Sequence, residues 1–171
     1  RLLLRKIKRA DLTQVFTGLS DPEVTRYYGV HYQSMEAAKI QMRWYKRLVR
    51  KDFGRVWAIT IKSQGDTLQG VVALYNWNKK NQSAEIGFWI LPDYQRRGLI
   101  SEALNALLPI AFSQMHLHRL FATTEPQNMA SIRTLQTVGF YYEGHQRGVE
   151  KKGDGWVDLL MYALLENDFD E

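Results

Sequence analysis

The 171-residue chain contains no cysteine, which removes disulfides, thiolate zinc sites and a cysteine nucleophile together. No run of eighteen apolar residues and no signal-peptide pattern occurs, so a soluble, cytoplasmic protein with no membrane partner is expected. The four histidines, His31, His116, His118 and His145, lack metal-ligand spacing, and no metal is expected. His116 and His118 fall at a helix-to-strand junction, where capping is the simpler role. Internal repeats, low-complexity runs and linkers are also missing, and the length suits one well-buried core rather than two ordinary domains. Charge is not gathered in one tail. The 23 Lys and Arg against 18 Asp and Glu leave +5, which suits an anionic ligand without supporting direct nucleic-acid recognition. The chain opens on Arg1 rather than methionine, which leaves room for native residues ahead of it.

What is present is a dense alternation of strand and helix periods. The pattern predicts a strand over 2–8, a helix over 10–19 and a short helical turn from Asp21-Pro22 towards Tyr27-Tyr28-Gly29. Ser34 reads as the N-cap of a helix reaching Lys51, with apolar stripe Ala38, Met42, Tyr45 and Val49, and a solvated face of Lys39, Arg43, Lys46 and Arg50. Strands over 55–62 and 68–77 form a hairpin across Ser63-Gln64-Gly65-Asp66, and a central strand covers 83–91. A long helix to about Met115, a strand over 119–124, a helix over 128–138 ended by Gly139, and strands over 140–150 and 156–164 complete the order. This is a mixed α/β layer architecture in a single domain, 1–171.

The most informative stretch is Pro92-Asp93-Tyr94-Gln95-Arg96-Arg97-Gly98-Leu99-Ile100-Ser101, between the central strand and the long helix. A glycine turn opening a helix offers free backbone N–H groups and positive dipole potential, a place for phosphates. Arg96 and Arg97 add two cations there. The alternative is a basic strand-to-helix turn without a ligand.

Gln95-Arg96-Arg97-Gly98-Leu99-Ile100 resembles the pyrophosphate loop, Q/R-x-x-G-x-G/A, of the GNAT superfamily of acetyl-CoA-dependent N-acetyltransferases. Ala84-Glu85-Ile86-Gly87-Phe88-Trp89, Asn128-Met129-Ala130-Ser131 and Gly139-Phe140-Tyr141-Tyr142-Glu143-Gly144 strengthen that resemblance over essentially the whole chain. Together with His116-Leu117-His118-Arg119 and Gly155-Trp156-Val157-Asp158 they look most like the RimJ/RimL branch, whose known members acetylate ribosomal-protein N-termini. The resemblance implies a mostly antiparallel sheet of about seven strands, splayed between the fourth and fifth, with about four flanking helices. Two positions depart from the pattern. Ile100 replaces a small residue and narrows the approach to the phosphates. Leu135 stands where many members carry a proton-donating tyrosine.

The resemblance also implies the site. The backbone of Phe88, Trp89 and Ile90 would pair with the pantetheine arm, as an added strand does. The N–H groups of Gln95, Arg96, Arg97, Gly98, Leu99, Ile100 and Ser101 would hold the pyrophosphate. Asn128 would bond the pantetheine amide region while also able to cap its helix. Glu150 matches a general-base glutamate of the branch, against a role as exposed partner for Lys151 or Lys152. Ser131 would donate to the departing thiolate, against a capping role. Glu85 resembles a strand-borne base, against a structural hydrogen bond. The acceptor groove would involve Tyr27-Tyr28-Gly29, Trp44, Tyr45 and the hairpin carrying Trp156, whereas Trp77 and Trp89 read as packing residues.

Acetyl-CoA is the expected co-substrate. The acceptor is a protein or peptide N-terminus, or alternatively a small amine such as a polyamine, amino sugar or antibiotic. A non-catalytic acetyl-CoA-binding module is the third reading, motivated by Leu135. At pH 7, deprotonating an α-amine costs roughly 1 kcal/mol and a lysine amine roughly 4.6 kcal/mol, so a lightly equipped site favours N-termini. A monomer or a homodimer through the hairpin edges fits equally.

Overall fold

The computed structural model describes residues 1–169; residues 170 and 171 of the expected 1–171 domain lie outside the described residues. Its elements run β1 (Leu2–Lys6), α1 (Leu12–Leu19), α2 (Pro22–Thr25), α3 (Met35–Arg50), β2 (Arg55–Ile61), β3 (Gly70–Asn78) and β4 (Ser83–Ile90). Then come α4 (Leu99–Pro109), β5 (Arg119–Thr124), α5 (Met129–Thr137), β6 (Tyr141–Lys152), β7 (Gly155–Leu165) and α6 (Glu166–Phe169). Seven strands form one sheet in the order β1-β2-β3-β4-β5-β7-β6. Every neighbouring pair is antiparallel except β4–β5.

Both faces of the sheet are covered, and β3 shows the consequence. Val71 and Ala73 pack on one side with Val15, Leu19, Tyr45 and Leu48 of α1 and α3. Val72 and Leu74 pack on the other with the α4 leucines Leu104, Leu107 and Leu108. A strand buried on both faces reads as an unbroken apolar run, as Val71-Val72-Ala73-Leu74 does.

Three elements differ from expectation. The long helix is α only to Pro109, after which residues Ile110–Gln114 widen into a π-type turn closed by Met115 N–H on Ile110 O at 2.9 Å. Proline has no N–H to give the preceding turn, and its ring crowds that turn's carbonyl. The buried stripe of α3 is Ala38, Gln41, Tyr45 and Leu48, whereas Val49 is exposed. Gln41 looked polar in sequence, but its Oε1 accepts the buried Tyr32 hydroxyl at 2.9 Å. α6 was not anticipated; it is only four residues long and is anchored by Phe169, whose ring lies 5.5 Å from that of Phe112.

The feature that positions the site is a wedge. β4 and β5 pair over only three positions, Ser83↔Arg119, Ala84↔Leu120 and Glu85↔Phe121. Beyond Glu85, β4 continues beside β3 to Ile90 but has no partner on its β5 side among the described residues. No helix among the described residues is long and apolar enough to cross a membrane.

Candidate active site

One flank of the wedge is made of backbone. Phe88, Trp89 and Ile90 pair with Val72, Val71 and Gly70 and leave their other edge free. The Trp89 and Ile90 side chains are buried, so the backbone is what these residues present. Downstream, Arg96 and Gly98 adopt φ of +58° and +71°, and Gly98 precedes the first turn of α4 with no side-chain cap. The N–H of Gln95 is committed to Pro92 O at 3.1 Å. The Leu99, Ile100 and Ser101 N–H groups have no intrahelical acceptor, as in any helix first turn. The cradle thus begins after Gln95. Alternating left- and right-handed conformations concentrate N–H groups into an anion-binding concavity.

The side chains around that loop fit an anionic donor. Arg96 and Arg97 are exposed, with the Arg97 guanidinium 5.4 Å from the Tyr94 ring centre. Ile100 packs towards the main core, which accommodates the departure noted in the sequence. Asn128 caps α5 by accepting Ser131 N–H on Oδ1 at 3.2 Å, leaving its amide NH₂ available for a donor. Thr124, at the end of β5, is among the residues lining the neighbouring cavity; its hydroxyl is buried and has no hydrogen-bond partner among the described residues. Leu135 is fully buried in the main core and supplies no proton donor.

The other flank is a cavity of about 790 Å³ lined by Glu85, Ser131 and Glu150, together with Phe88 and the loop carrying Tyr28 and Gly29. All three proposed catalytic residues therefore face one space. Glu85 accepts from Asn76 Nδ2 at 2.9 Å and from Thr123 Oγ1 at 3.2 Å, which occupies both oxygens. Asn76 reaches it from a bulge in β3, with φ of +50°. Glu150 lies beside the facing loop, so that a Cβ on Gly29 would sit 3.9 Å from Glu150 Oε1. The expected partner Lys152 is engaged elsewhere, by the carboxylate of Glu125 and by the Arg26 carbonyl at 2.6 Å.

Aromatic rings wall the space. Burial pushes the Tyr75 hydroxyl far above its ordinary range, and the charges of Glu85 and then Glu150 add to that; all three residues line the cavity. Trp44 meets Tyr75 edge-on at 5.8 Å. Gly87 leaves room for Tyr75, since a Cβ there would stand 2.9 Å from the ring. Tyr45 lies beneath, 2% exposed, accepting Trp89 Nε1–H at 3.2 Å, and burial pushes its hydroxyl up to about 12. It supports the wall without lining it. Trp156, expected near the groove, is 66% exposed and outside the lining, because it projects from the hairpin beside Gly148.

Sequence reading missed Tyr75, Asn76 and Thr123. The polar Asn76-Trp77-Asn78 ending of an otherwise apolar strand was the available signal for the bulge. Nothing local marked Thr123, which matters only because β5 lies beside Glu85. Among the described residues, no three His, Asp or Glu side chains gather as a metal cluster requires.

A free strand edge running to a helix N-terminus, with an amine-accessible cavity alongside, serves acyl transfer from an extended anionic donor. Comparison with known proteins gives the family. The acetyltransferase (GNAT) domain matches residues 1–141, and the chain belongs to this family of N-acetyltransferases, for which acetyl-CoA is the co-substrate. The uncharacterized N-acetyltransferase YnaD of Bacillus subtilis is 31% identical over 169 residues, 99% of this chain and 96% of that protein. The ribosomal-protein-serine acetyltransferase of Escherichia coli is 32% identical over 100 residues, 58% of this chain and 56% of that protein, in line with the RimJ/RimL-like resemblance. Among solved structures, the Vibrio cholerae spermidine N-acetyltransferase in complex with CoA and spermine superposes with a TM-score of 0.86 at 21% identity, covering 99% of this chain and 98% of that one. That likeness concerns the fold.

Proposed function

We propose that the chain acts as one catalytic domain that acetylates the N-terminal α-amine of a protein or peptide. The observation that carries this reading is the shared cavity: Glu85, Ser131 and Glu150 open onto the same space beside the free edge of β4. The relationship to a ribosomal-protein-serine acetyltransferase supports the acceptor class. The amine chemistry supports it too, because an α-amine needs only about 1 kcal/mol to become neutral at pH 7.

Acetyl-CoA supplies the acetyl group as its thioester. The backbone edge at Phe88, Trp89 and Ile90 holds the pantetheine arm as a neighbouring strand would. The N–H groups from Arg96 to Ser101 hold the pyrophosphate, and Asn128 bonds the pantetheine amide region. Glu150, whose neighbour Lys152 is engaged by Glu125 and the Arg26 carbonyl, takes the proton from the attacking ammonium. The neutral nitrogen forms a bond to the thioester carbon, and a β4 N–H stabilises the oxyanion. The C–S bond then breaks; Ser131 Oγ–H gives its proton to the departing thiolate and takes up the second proton shed by the acylated nitrogen, so CoA leaves as the thiol and the amide is neutral. Glu85, with both oxygens engaged by Asn76 and Thr123, remains a fixed carboxylate that attracts the incoming ammonium.

A second reading is acetylation of a small polyamine-like amine. Glu85 and Glu150 around one cavity favour it, since two carboxylates suit an acceptor with two cations. Thiol release in the presence of serine-initiated peptides, lysine-only peptides, polyamines and aminoglycosides separates the readings. Turnover of α-amine peptides is expected. Turnover of polyamines or aminoglycosides with none of any peptide would reject the leading reading.

A further inference from the structure

The β6–β7 hairpin changes register beside Glu150. From Gln146↔Leu159 to Glu150↔Val157, β6 advances four residues while β7 advances two, so residues 147–149 bulge opposite Asp158 alone. An offset of two keeps the alternation of faces. Glu150 stays on the side of Leu159, which lines the acceptor cavity. What the bulge changes is position along the strand. Without it, Glu150 would stand two residues, about 7 Å, nearer the hairpin tip.

Asp158 holds this bulge from the opposite face of the sheet. Its Oδ1 accepts Gly148 N–H at 2.7 Å, and its Oδ2 accepts His145 Nε2–H at 2.7 Å. Gly148 has φ of +56°, which a residue bearing a Cβ adopts only with strain. The Gly148 N–H, and then His145, hold the Asp158 carboxyl below its ordinary range. Asp158 does not line the cavity. It ends Gly155-Trp156-Val157-Asp158, a segment singled out in the sequence to which the acyl-transfer scheme gives no role.

We infer that Asp158 is a positioning residue for acyl transfer: by clamping the two-residue bulge of β6 from behind, it sets how far Glu150 reaches into the acceptor cavity. The inference rests on Glu150 acting as the base.

A double-mutant cycle tests it, with acetyl-CoA and both spermine and a serine-initiated peptide as acceptors. Glu150→Gln is expected to lower kcat by about 10²-fold. Asp158→Ala is expected to lower kcat by about tenfold, with unchanged acetyl-CoA affinity, because a misplaced base is a poorer base. In the Glu150→Gln background, Asp158→Ala should cost nothing further. Asp158→Asn keeps an oxygen for the Gly148 N–H and should restore most of the rate. A second full tenfold loss in the double variant overturns the positioning role and leaves Glu150 as base. An unchanged kcat in Glu150→Gln overturns the base reading, and this inference with it. If Asp158→Ala does not fold, His145→Ala removes one of the two clamping bonds and enters the same cycle, read by the same two outcomes.

Discussion

The two flanks of the β4–β5 wedge are built from different material. The flank proposed to hold the donor is backbone: an unpaired strand edge, a turn with positive φ at Arg96 and Gly98, and the first turn of α4. The acceptor flank is side chain: Glu85 from β4, Asn76 from β3, Thr123 from β5, Glu150 from β6 and rings from α3 and its preceding loop. Backbone groups are common to all residues, so the donor flank depends on conformation and tolerates Ile100 where a smaller residue is usual. Side-chain contacts can be exchanged one at a time. A common donor with changeable acceptors follows from that division of labour, and it explains why relatives of this chain carry both ribosomal-protein and spermidine names.

The sharpest way to break the comparison is to attack conformation on the donor flank. Gly98→Glu places a strained side chain and a negative charge in the turn proposed to hold the phosphates, costing roughly 4 kcal/mol, or about 10³-fold in acetyl-CoA affinity. Calorimetry with CoA reads it directly, and an unchanged affinity would remove the loop assignment. Glu150→Gln should act on the other flank alone, lowering kcat by about 10²-fold with CoA affinity preserved. A pH–rate profile that keeps its shape in this variant would strip Glu150 of its role.

The same division explains what could be read in advance. The donor loop is contiguous in sequence, and its glycine, its flanking periods and its two arginines announce it together. Asn128 and Ser131 share one helix start, and that start was legible for the same reason. The strand and helix order, and both hairpins, followed from local periodicity. Asn76 and Thr123 were illegible because their meaning comes from a carboxylate on a third strand, 9 and 38 residues away in the chain. The buried Gln41 escaped because its meaning depends on Tyr32, a partner supplied by tertiary packing, and the π-type turn escaped because Pro109 marks a break without saying which turn follows it. Trp156 was misread because an aromatic in a late hairpin does not declare which way it points.

A milder test asks whether the acceptor wall can be moved without touching a carboxylate. Gly87→Ala would place its Cβ 2.9 Å from Tyr75 Cε1, so the ring must shift. Overpacking of this kind costs about 1–2 kcal/mol. The acceptor KM should rise several-fold while CoA affinity stays within twofold. An equal loss in both would mean that the two flanks are not separable.

The smallest expected effect concerns pH. Tyr45 beneath the acceptor wall is 2% exposed, and burial raises its hydroxyl to about 12. An unfolded tyrosine ionises near 10, so the stabilisation is complete below that value and is lost as pH climbs towards the folded one. By pH 11 the loss from this group is about 1 kcal/mol. Tyr45→Phe gives up the bond from Trp89 Nε1–H and should melt lower at every pH. Its melting temperature should nevertheless fall less steeply than wild type between pH 9.5 and 11, because no phenol remains there to ionise. Parallel curves for the two proteins would show that alkaline sensitivity arises elsewhere.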